Sequence, residues 1–535
     1  MTQPRRISVC IVNPRFNPSF MGYSYALELL GKRCWTATGA LPTLAALAPD
    51  HCDVELLDEN VQDIDFARLA RFDVVGVTGM VVQRERMLEI LARLKGGPAK
   101  VVVGGPYVSV MEDPFIDLCD VRFIGEADET WPQFLHAVAQ GEPTAERYEQ
   151  AEKTDMSTVP PPKYHLLNAR DYGLASLQFS RGCPFQCEFC DIITIFGRKP
   201  RVKTIPQMLA EFDAILAAGF TACFLVDDNF IGDKRKARSL LVAMIEWQKA
   251  KGYPIAFYTE ATINLADDPE LITLMVQANI RGLFVGIETP RRASLIETGK
   301  HQNVRGDDLS AKLRRLHEGG LVVTGGFIVG FDHDDETVFD EQFEFIQSAG
   351  IANAMISLLT PIPTTPLHDR LRTEGRLDDS DPDVIFHPKL MSRETLRTGY
   401  RTLLRRLYEP ETYFSRLFNG YRATAGLRRR TLALSAPAAA GASRRAWWLA
   451  RLRAARLALS LARVAWRAGH FRRLAAAYAK VWFKDNRPLG AEAIPFPVFV
   501  SLCVFHWHYF VYSRSVTRNG FAVGDSDWEA TRVRG

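Results

Sequence analysis

Residues Ser180–Asp191 read Ser-Arg-Gly-Cys-Pro-Phe-Gln-Cys-Glu-Phe-Cys-Asp, which places Cys183, Cys187 and Cys190 in the spacing C-x-x-x-C-x-x-C. A structural zinc site needs a fourth protein ligand, and no other Cys or His lies close enough in sequence to form the usual second pair. A four-iron cluster normally takes four thiolates, so three cysteines leave one iron open to a ligand that is not protein. The pattern therefore indicates an iron–sulfur site, and the alternative is three free cysteines on a turn.

The composition is that of an ordinary globular protein. The chain has 535 residues, 47% of them hydrophobic and 24% charged, which predicts about three to four domains and argues against wholesale disorder. The net charge of +4 conceals an asymmetry. The segment 412–484 contains 16 Lys or Arg and no Asp or Glu, while the rest of the chain carries 50 basic and 62 acidic residues. One segment therefore holds the positive charge.

The cysteines and the start of the chain bear on location. Nine cysteines are an odd number and stand mostly in apolar or strand-like settings, which suits a reducing compartment better than a disulfide framework. The short apolar run after the first arginines is a strand rather than a signal peptide. We expect a cytoplasmic protein, and an oxygen-sensitive one if the cluster is present.

The first 140 residues alternate short β-branched runs with helical stretches. Apolar runs of this kind indicate a parallel sheet covered on both faces. The predicted strands are Ile7–Val12, Val54–Leu57, Val74–Thr78, Val101–Val103 and Val121–Ile124. A doubly wound domain binds ligands beyond the carboxyl ends of its strands, and no G-x-G-x-x-G dinucleotide fingerprint follows the first strand.

The alternation of strands and helices is interrupted after the first domain and then continues. Pro160-Pro161-Pro162 holds an extended course, so we predict a first domain over residues 1–145 and a connector over 146–175. Six further strands over 176–375 predict a partial (β/α)6 barrel, whose chemistry would lie at the carboxyl ends of its strands. They lie near Ser176–Ser180, Ala222–Val226, Ile255–Tyr258, Leu283–Gly286, Val322–Ile328 and Ala354–Leu359.

Residues 376–535 are predicted to be helical and Arg-rich. Trp447–Leu474 has a basic face and an apolar face, as expected of an amphipathic helix. The apolar face carries Trp447, Leu457, Leu461 and Val464. Ile494–Tyr512 has no charged residue, but its prolines and histidines argue against a spanning helix. These segments would pack on the barrel, contact a membrane surface, or, least in keeping with the pattern, span the bilayer.

The motifs Gly-Cys-Pro-Phe-Gln-Cys-Glu-Phe-Cys-Asp-Ile, Val-Asp-Asp-Asn-Phe-Ile-Gly and Val-Gly-Ile-Glu-Thr-Pro together resemble radical S-adenosylmethionine (SAM) enzymes with a preceding cobalamin-binding domain, closest to the hopanoid A-ring methylase group. The resemblance covers about residues 5–410. It implies that a 4Fe-4S cluster on the three cysteines binds SAM, and that cobalamin is a further cofactor. SAM contacts are implied for Phe189, Asp227, Asp228, Asn229, Glu260, Gly286, Glu288 and Gly330. The acidic residues could instead pair with nearby Lys or Arg.

The same resemblance implies where cobalamin binds. Contacts are expected at Asn13, Thr78, Met80, Val81, Gln83, Gly104, Gly105, Pro106, Gly125 and Glu126. Many such domains carry Asp-x-His-x-x-Gly after the first strand, but the loop here is Asn-Pro-Arg-Phe-Asn-Pro and no His occurs before His51. We therefore expect cobalt without a histidine on its lower face. The alternative is a domain that has lost its ligand and only packs.

The resemblance implies a methyltransferase that uses two SAM molecules, one to methylate cobalamin and one to form a 5′-deoxyadenosyl radical. The expected substrate is an unactivated carbon of an apolar, lipid or isoprenoid-like small molecule. Rival interpretations are a radical SAM cyclase acting on a porphyrin-like or natural-product substrate, a cobalamin sensor and a tRNA-modifying enzyme. We expect a reducing electron-donor protein as a partner, and peripheral membrane contact through the C-terminal region. We expect no nucleic-acid partner, because no RNA-binding module is recognisable.

Overall fold

The computed structural model describes residues 4–381, 383–427 and 444–519. The chain forms two compact units. Unit 1 contains residues 1–17, 33–260 and 361–370, and unit 2 contains residues 18–32, 261–360 and 371–535. Each unit is thus assembled from three separate stretches of sequence.

Fifteen strands are formed by the described residues. They are β1 (Ile7–Asn13), β2 (Cys34–Thr36), β3 (Cys52–Asp58), β4 (Val74–Thr78), β5 (Lys100–Gly104), β6 (Val121–Ile124), β7 (Arg147–Glu149), β8 (Tyr172–Leu177), β9 (Ser180–Arg181), β10 (Arg201–Val202), β11 (Ala222–Leu225), β12 (Ala256–Glu260), β13 (Ile280–Glu288), β14 (Val322–Val329) and β15 (Asn353–Leu358).

The α-helices of the described ranges are numbered in chain order. They are α1 (Ser24–Leu27), α2 (Ala40–Leu47), α3 (Phe66–Leu69), α4 (Arg84–Leu94), α5 (Pro106–Val110), α6 (Thr130–Gln140), α7 (Ile192–Ile195), α8 (Ile205–Ala217), α9 (Lys234–Lys251), α10 (Pro269–Gln277), α11 (Arg292–Glu297), α12 (His301–Val304), α13 (Leu309–Gly319), α14 (Val338–Ser348), α15 (Pro366–Thr373), α16 (Arg393–Leu407), α17 (Pro410–Ala423), α18 (Arg444–Arg467), α19 (Phe471–Val481) and α20 (Phe496–Asn519).

Unit 1 begins with a six-stranded parallel sheet in the order β3-β1-β4-β5-β6-β7. Helices bury both of its faces in separate apolar clusters, so the predicted doubly wound α/β fold is confirmed. The strand order reverses between β1 and β4, and the crevice at such a switch point is the usual ligand site. Sequence reasoning missed β7, which continues this sheet into the predicted connector.

Unit 1 also contains a second parallel run of strands in the order β2-β8-β11-β12. Here β8 ends at Leu177, and Ser180–Arg181 forms the separate short strand β9, which pairs antiparallel with β10. The predicted strand Ser176–Ser180 therefore spans the end of one strand and the start of another. The alternation of strands and helices expected of the barrel region is confirmed.

Unit 2 contains the parallel strands β13, β14 and β15 and the C-terminal helices, as the predicted helical region requires. Within the apolar stretch Ile494–Tyr512, α20 buries His506, Trp507, His508, Tyr509 and Phe510 completely or almost completely. The ring of Phe20 stacks 4.6 Å from that of Tyr509. This stretch therefore packs within unit 2.

The basic helix forms as predicted but is shorter. It ends at Arg467, after which Gly469 adopts a left-handed φ of 74° before α19 begins. Leu461 is buried, Leu457 and Val464 are half-buried, and the arginines of the opposite face are exposed; the side chain of Trp447 lies outside the described residues. Among the helices of the described ranges, none combines the length and hydropathy needed to cross a bilayer.

Candidate functional site

The three cysteines lie on the loop that connects β9 to α7. Cys187 is buried, and Cys183 and Cys190 are half-buried. The pairing of Arg181 with Arg201 joins the two ends of the surrounding segment. The amide of Cys183 donates to the carbonyl of Gly197 at 3.2 Å, and that of Cys190 donates to Cys187 at 3.2 Å. The loop thus has a fixed backbone that presents three thiols.

Gly182 lets this loop turn. Its φ is +96°, and a Cβ at this position would lie 2.9 Å from the carbonyl oxygens of Gly197 and Lys199, so no larger residue fits. In the part of the chain that the structure describes, no three His, Cys, Asp or Glu side chains converge on a single metal ion. The fit of the loop to a cluster therefore rests on its donor set, three thiols on one short segment with no fourth protein thiol nearby in sequence.

Two carboxylates at the end of β11 hold the start of the cysteine loop. Asp227, which is 1% exposed, accepts a short hydrogen bond from the amide of Ser180. Asp228 accepts one from the amide of Gly182 at 2.7 Å. Burial raises the pKa of Asp227 to about 7 and that of Asp228 to about 6. Sequence reasoning placed these residues at a strand end but missed their bonds to the cysteine segment.

Glu260 ends the adjacent strand β12. Burial, together with the nearby carboxylates of Asp228 and Asp227, raises its pKa to about 7. The neighbouring Asn229 is also buried. Three acidic groups close together in a poorly solvated environment favour the binding of a cation, because its positive charge offsets the free-energy cost of ionising them. The predicted residues Asp227, Asp228, Asn229 and Glu260 therefore form one cluster at the strand ends of unit 1.

The predicted residues Gly286 and Glu288 belong to unit 2, where Glu288 forms a buried ion pair with Lys300 next to Gly286. The Lys300 ammonium lies 2.5 Å from a carboxylate oxygen of Glu288, and both side chains are less than a tenth exposed. A Cβ on Gly286 would lie 2.4 Å from that oxygen and 2.9 Å from the lysine nitrogen. Glu288 thus pairs with a lysine, the alternative that the sequence left open.

Gly330, the third predicted residue in unit 2, follows β14 with a φ of +112°. Its amide donates to Asp334 at 2.9 Å, and the hydroxyl of Ser294 donates to the same carboxylate at 2.9 Å. Asp334 is fully buried, and burial raises its pKa to about 6. Sequence reasoning missed Asp334, although the run Gly-Phe-Asp-His-Asp after a strand was a signal for it.

The strand ends of the first sheet bring together the residues predicted to bind cobalamin. At the switch point, Asn13 and Gln83 are almost fully buried. The amide of Gln83 donates to Asn13 at 3.0 Å, and that of Asn13 donates to Asp58 at 3.0 Å. The hydroxyl of Tyr172 donates to Asp58 at 3.0 Å, and burial raises the pKa of Asp58. This polar network, including Asp58 and Tyr172, was not predicted.

The remaining residues of this edge differ in accessibility. Met80 and Val81 are exposed by 44% and 48%, although both are apolar. Gly105 lies against Thr78, since a Cβ there would be 2.7 Å from the threonine hydroxyl, whereas Gly125 faces open space. The exposed apolar residues and the open glycine follow two strands of the same sheet edge, where they leave surface for a large ligand.

Glu126 pairs with arginines inside the protein. It forms ion pairs with Arg201 and, at 3.5 Å, with Arg181, and it accepts from the amide of Thr154 at 2.6 Å. Burial opposes its charge, but these partners lower its pKa overall. Its carboxylate is thus engaged by side chains that flank the cysteine loop in sequence.

His51, the first histidine of the sequence, lies away from this edge. His51 immediately precedes β3, so it lies at the amino ends of the parallel strands, and its ring is 5.6 Å from that of His136 on α6. The carboxyl ends carry the predicted contacts instead. That cobalamin binds without a histidine beneath it stays a prediction.

Three family models match separate parts of the chain. Residues 33–135 match the B12 binding domain, residues 177–370 match the radical SAM superfamily, and residues 365–520 match a domain of unknown function.

Curated relatives and solved structures are similar over most of the chain. An uncharacterized methyltransferase of Synechocystis sp. is 38% identical over 76% of this chain and 77% of its own. The hopanoid C-2 methylase of Rhodopseudomonas palustris is 34% identical over 77% and 79%. The cobalamin-dependent SAM radical enzyme OxsB, with aqua-cobalamin and SAM bound, aligns with a TM-score of 0.60 at 14% identity over 96% of this chain and 80% of its own. This last likeness shows the fold.

Proposed function

The chain belongs to the cobalamin-dependent radical SAM methyltransferases, and we propose that it methylates an unactivated carbon of an apolar, lipid- or isoprenoid-like small molecule. Its cofactors are a 4Fe-4S cluster, SAM and cobalamin. The observation that carries the substrate proposal is the similarity to a hopanoid methylase across more than three quarters of both chains.

When bound, the cluster and SAM supply a radical that removes a hydrogen atom, and cobalamin supplies the methyl group. In our proposal Cys183, Cys187 and Cys190 hold the cluster through thiolates. Phe189, next to the last of them, would pack against SAM. No protein acid or base is required for the methyl transfer, so the side chains contribute binding, position and exclusion of water.

The carboxylates would then have two tasks. Asp227 and Asp228 fix the backbone that precedes Cys183, and we propose that Asp228 and Glu260 also attract the positively charged groups of SAM, because a cation stabilises their ionised forms. Gly286, Glu288 and Gly330 remain proposed SAM contacts. Glu288 also has a buried lysine partner, Lys300.

Cobalamin is proposed to lie on the carboxyl edge of the first sheet. There Thr78, Gly104, Gly105 and Pro106 would permit close approach of the backbone, and Met80 and Val81 would cover an apolar face. Asn13 and Gln83 would act through the buried network rather than by exposed contacts, and Glu126 would hold the edge through its arginines.

Three further expectations are part of the proposal. A reducing protein would donate electrons, and the exposed basic face of α18 would make peripheral contact with a membrane. We also propose a cytoplasmic location, because none of the nine cysteines, all within the described ranges, forms a disulfide. The proposed domains stay at 1–145, 146–175, 176–375 and 376–535.

The proposal is tested by anaerobic reconstitution with SAM carrying a deuterated methyl group, cobalamin and dithionite. Apolar extracts should gain one labelled methyl per product molecule, together with 5′-deoxyadenosine. Cys183→Ala should abolish both products, while Cys119→Ala, a half-buried cysteine outside the loop, should retain them. Formation of 5′-deoxyadenosine with a product that gains a ring but no label would identify a cyclase instead.

A further inference from the structure

A groove lies between α18, α19 and α20 in unit 2. Its volume is about 280 Å³, just below the range of roughly 300–1,000 Å³ of pockets that enclose drug-sized ligands. Much of its lining consists of Ala458, Ala462, Ala465, Ala475 and Ala479. Because alanine presents nothing beyond Cβ, these positions leave space that larger residues would fill. The size suits a single chain better than a fused ring system.

The groove is apolar throughout its lining. Trp482 packs there with its ring 5.0 Å from that of Phe499. The hydroxyl of Tyr478 already contacts the His506 ring nitrogen at 2.8 Å and the Cys503 carbonyl at 3.3 Å. Burial holds the pKa of the Cys503 thiol well above its usual value, so this thiol stays uncharged. A hydrocarbon would be favoured over a ligand that needs hydrogen-bond partners.

Large apolar side chains are exposed in the groove lining and elsewhere on α18. Phe471 and Phe483, which line it, are exposed by 40% and 58%. On α18, Trp448, Leu459 and Trp466 are exposed by 59%, 66% and 75%. Exposed apolar surface of this extent marks an interaction site, and Trp, Phe and Leu on an amphipathic helix are favoured at a membrane interface.

The charge of the surrounding surface indicates what kind of partner would bind there. Arg453, Arg456, Arg463 and Arg467 are exposed on α18, and the sequence from 412 to 484 contains no acidic residue. By contrast, Arg473 pairs with Glu409 and Lys480 pairs with Glu411. These two cations of α19 are thus neutralised within the unit, while the arginines of α18 face outward and favour an anionic surface.

We propose that the groove binds one hydrocarbon chain of an anionic membrane lipid, while the exposed arginines on the opposite face of α18 contact the anionic headgroups of the surrounding membrane surface. This inference deepens the membrane contact proposed above and rests on it. It does not depend on methyl transfer, so its test is performed without a reductant and its failure would leave the enzymatic proposal intact.

The test uses the full-length, cofactor-reconstituted protein and lauroyl-lysophosphatidylglycerol below its micelle concentration, with binding measured by calorimetry. Ala462→Phe, which fills the groove, should weaken binding at least about tenfold, or 1.4 kcal/mol. Ala455→Phe is the matched control, because Ala455 is exposed on the same helix outside the groove lining. Glycerol phosphate, which lacks the chain, should bind much more weakly.

The headgroup is tested on vesicles of phosphatidylglycerol and phosphatidylcholine. Replacing Arg453, Arg456, Arg463 and Arg467 together by Gln should abolish binding, while replacing Arg235, Lys236, Lys249 and Lys251 of α9 should not. If Ala462→Phe does not fold, a lysophosphatidylglycerol with a diazirine in its chain should label the groove peptides of the wild-type protein. Equal binding by the two alanine variants, labelling elsewhere, or salt-sensitive self-association without lipid binding would overturn the proposal.

Discussion

The amide of Gly182 donates a 2.7 Å hydrogen bond to the carboxylate of Asp228. This bond links the residue immediately before the first cysteine of the loop to the end of β11, where the candidate cation-binding carboxylates lie. Any displacement of the strand end would therefore be transmitted to the thiols through one short connection. The binding of SAM and the integrity of the cluster should be coupled at this point.

Replacement of Asp228 separates its two tasks. In Asp228→Asn the side-chain oxygen can still accept from Gly182, so iron content should be unchanged, while loss of the charge weakens SAM binding about tenfold, or 1.4 kcal/mol. Asp228→Ala should lower both. Iron analysis and calorimetry measure the two effects, with exposed Glu246→Gln as the control. Equal iron loss in the Asn and Ala variants would contradict this division.

SAM affinity should rise with pH because of Glu260. Its pKa is raised to about 7, so the residue is largely protonated at pH 6 and must lose a proton before it attracts a cation. Without ligand, the same group makes the fold less stable as pH rises from its unfolded pKa through 7, since the folded state then holds the extra proton. Titrations at pH 6 and 8 should show the rise in wild type and a smaller one in Glu260→Gln.

The buried pair of Glu288 and Lys300 should respond more strongly to single than to double replacement. Lys300→Met leaves a buried carboxylate unpaired, which costs about 3–5 kcal/mol. Adding Glu288→Leu removes that charge and should recover much of the loss. Thermal unfolding of the three proteins provides the test. A double variant no more stable than Lys300→Met would show that the pair is not the source of the effect.

The bound cobalamin should lack a histidine ligand. His51 precedes β3 and packs near His136, at the edge opposite the predicted contacts. Electron paramagnetic resonance of the Co(II) state should therefore show no imidazole coupling, and His51→Ala should leave the spectrum unchanged. Coupling that disappears in this variant would place the ligand on the other edge.

Acid should weaken the C-terminal helices through His506 and His508. Burial lowers the pKa of His506 to about 3 and that of His508 to about 4. Below the unfolded value near 6.5, the unfolded state binds more protons, so stability falls as pH decreases, by about 1.4 kcal/mol per pH unit for each group. Proteolysis of α20 should accelerate from pH 7 to 5. The double His→Gln variant should show a smaller acceleration over that interval.

Local patterns predicted much of the fold. The strands Val74–Thr78 and Val121–Ile124 have the predicted bounds, because each is a continuous apolar run between polar loops. The three-residue strand Cys34–Thr36 was missed, since it forms by pairing with β8, more than a hundred residues later. Short pairings of this kind leave no periodic signal in the sequence.

The site shows the same division between local and distant signals. The cysteines and the carboxylates at strand ends could be predicted from the sequence, because motif spacing and strand position are local features of the chain. The partner of Glu288 and the link between Asp58 and Tyr172 join residues that no sequence period connects. In α20, Pro497 lies in the first turn, where proline is tolerated, and burial of His506 and His508 depends on partners such as Tyr408 and Phe20.

Residues near the start of the chain complete the packing of its last described helix. Tyr509 donates its hydroxyl to that of Tyr23 at 3.0 Å, so two residues almost 500 positions apart share one core. During synthesis, the segment 18–32 would leave the ribosome long before α20 exists. Its aromatic side chains cannot be buried in this core until α20 has been synthesised. Unit 2 should therefore fold late and slowly, as expected for contacts of such long sequence separation.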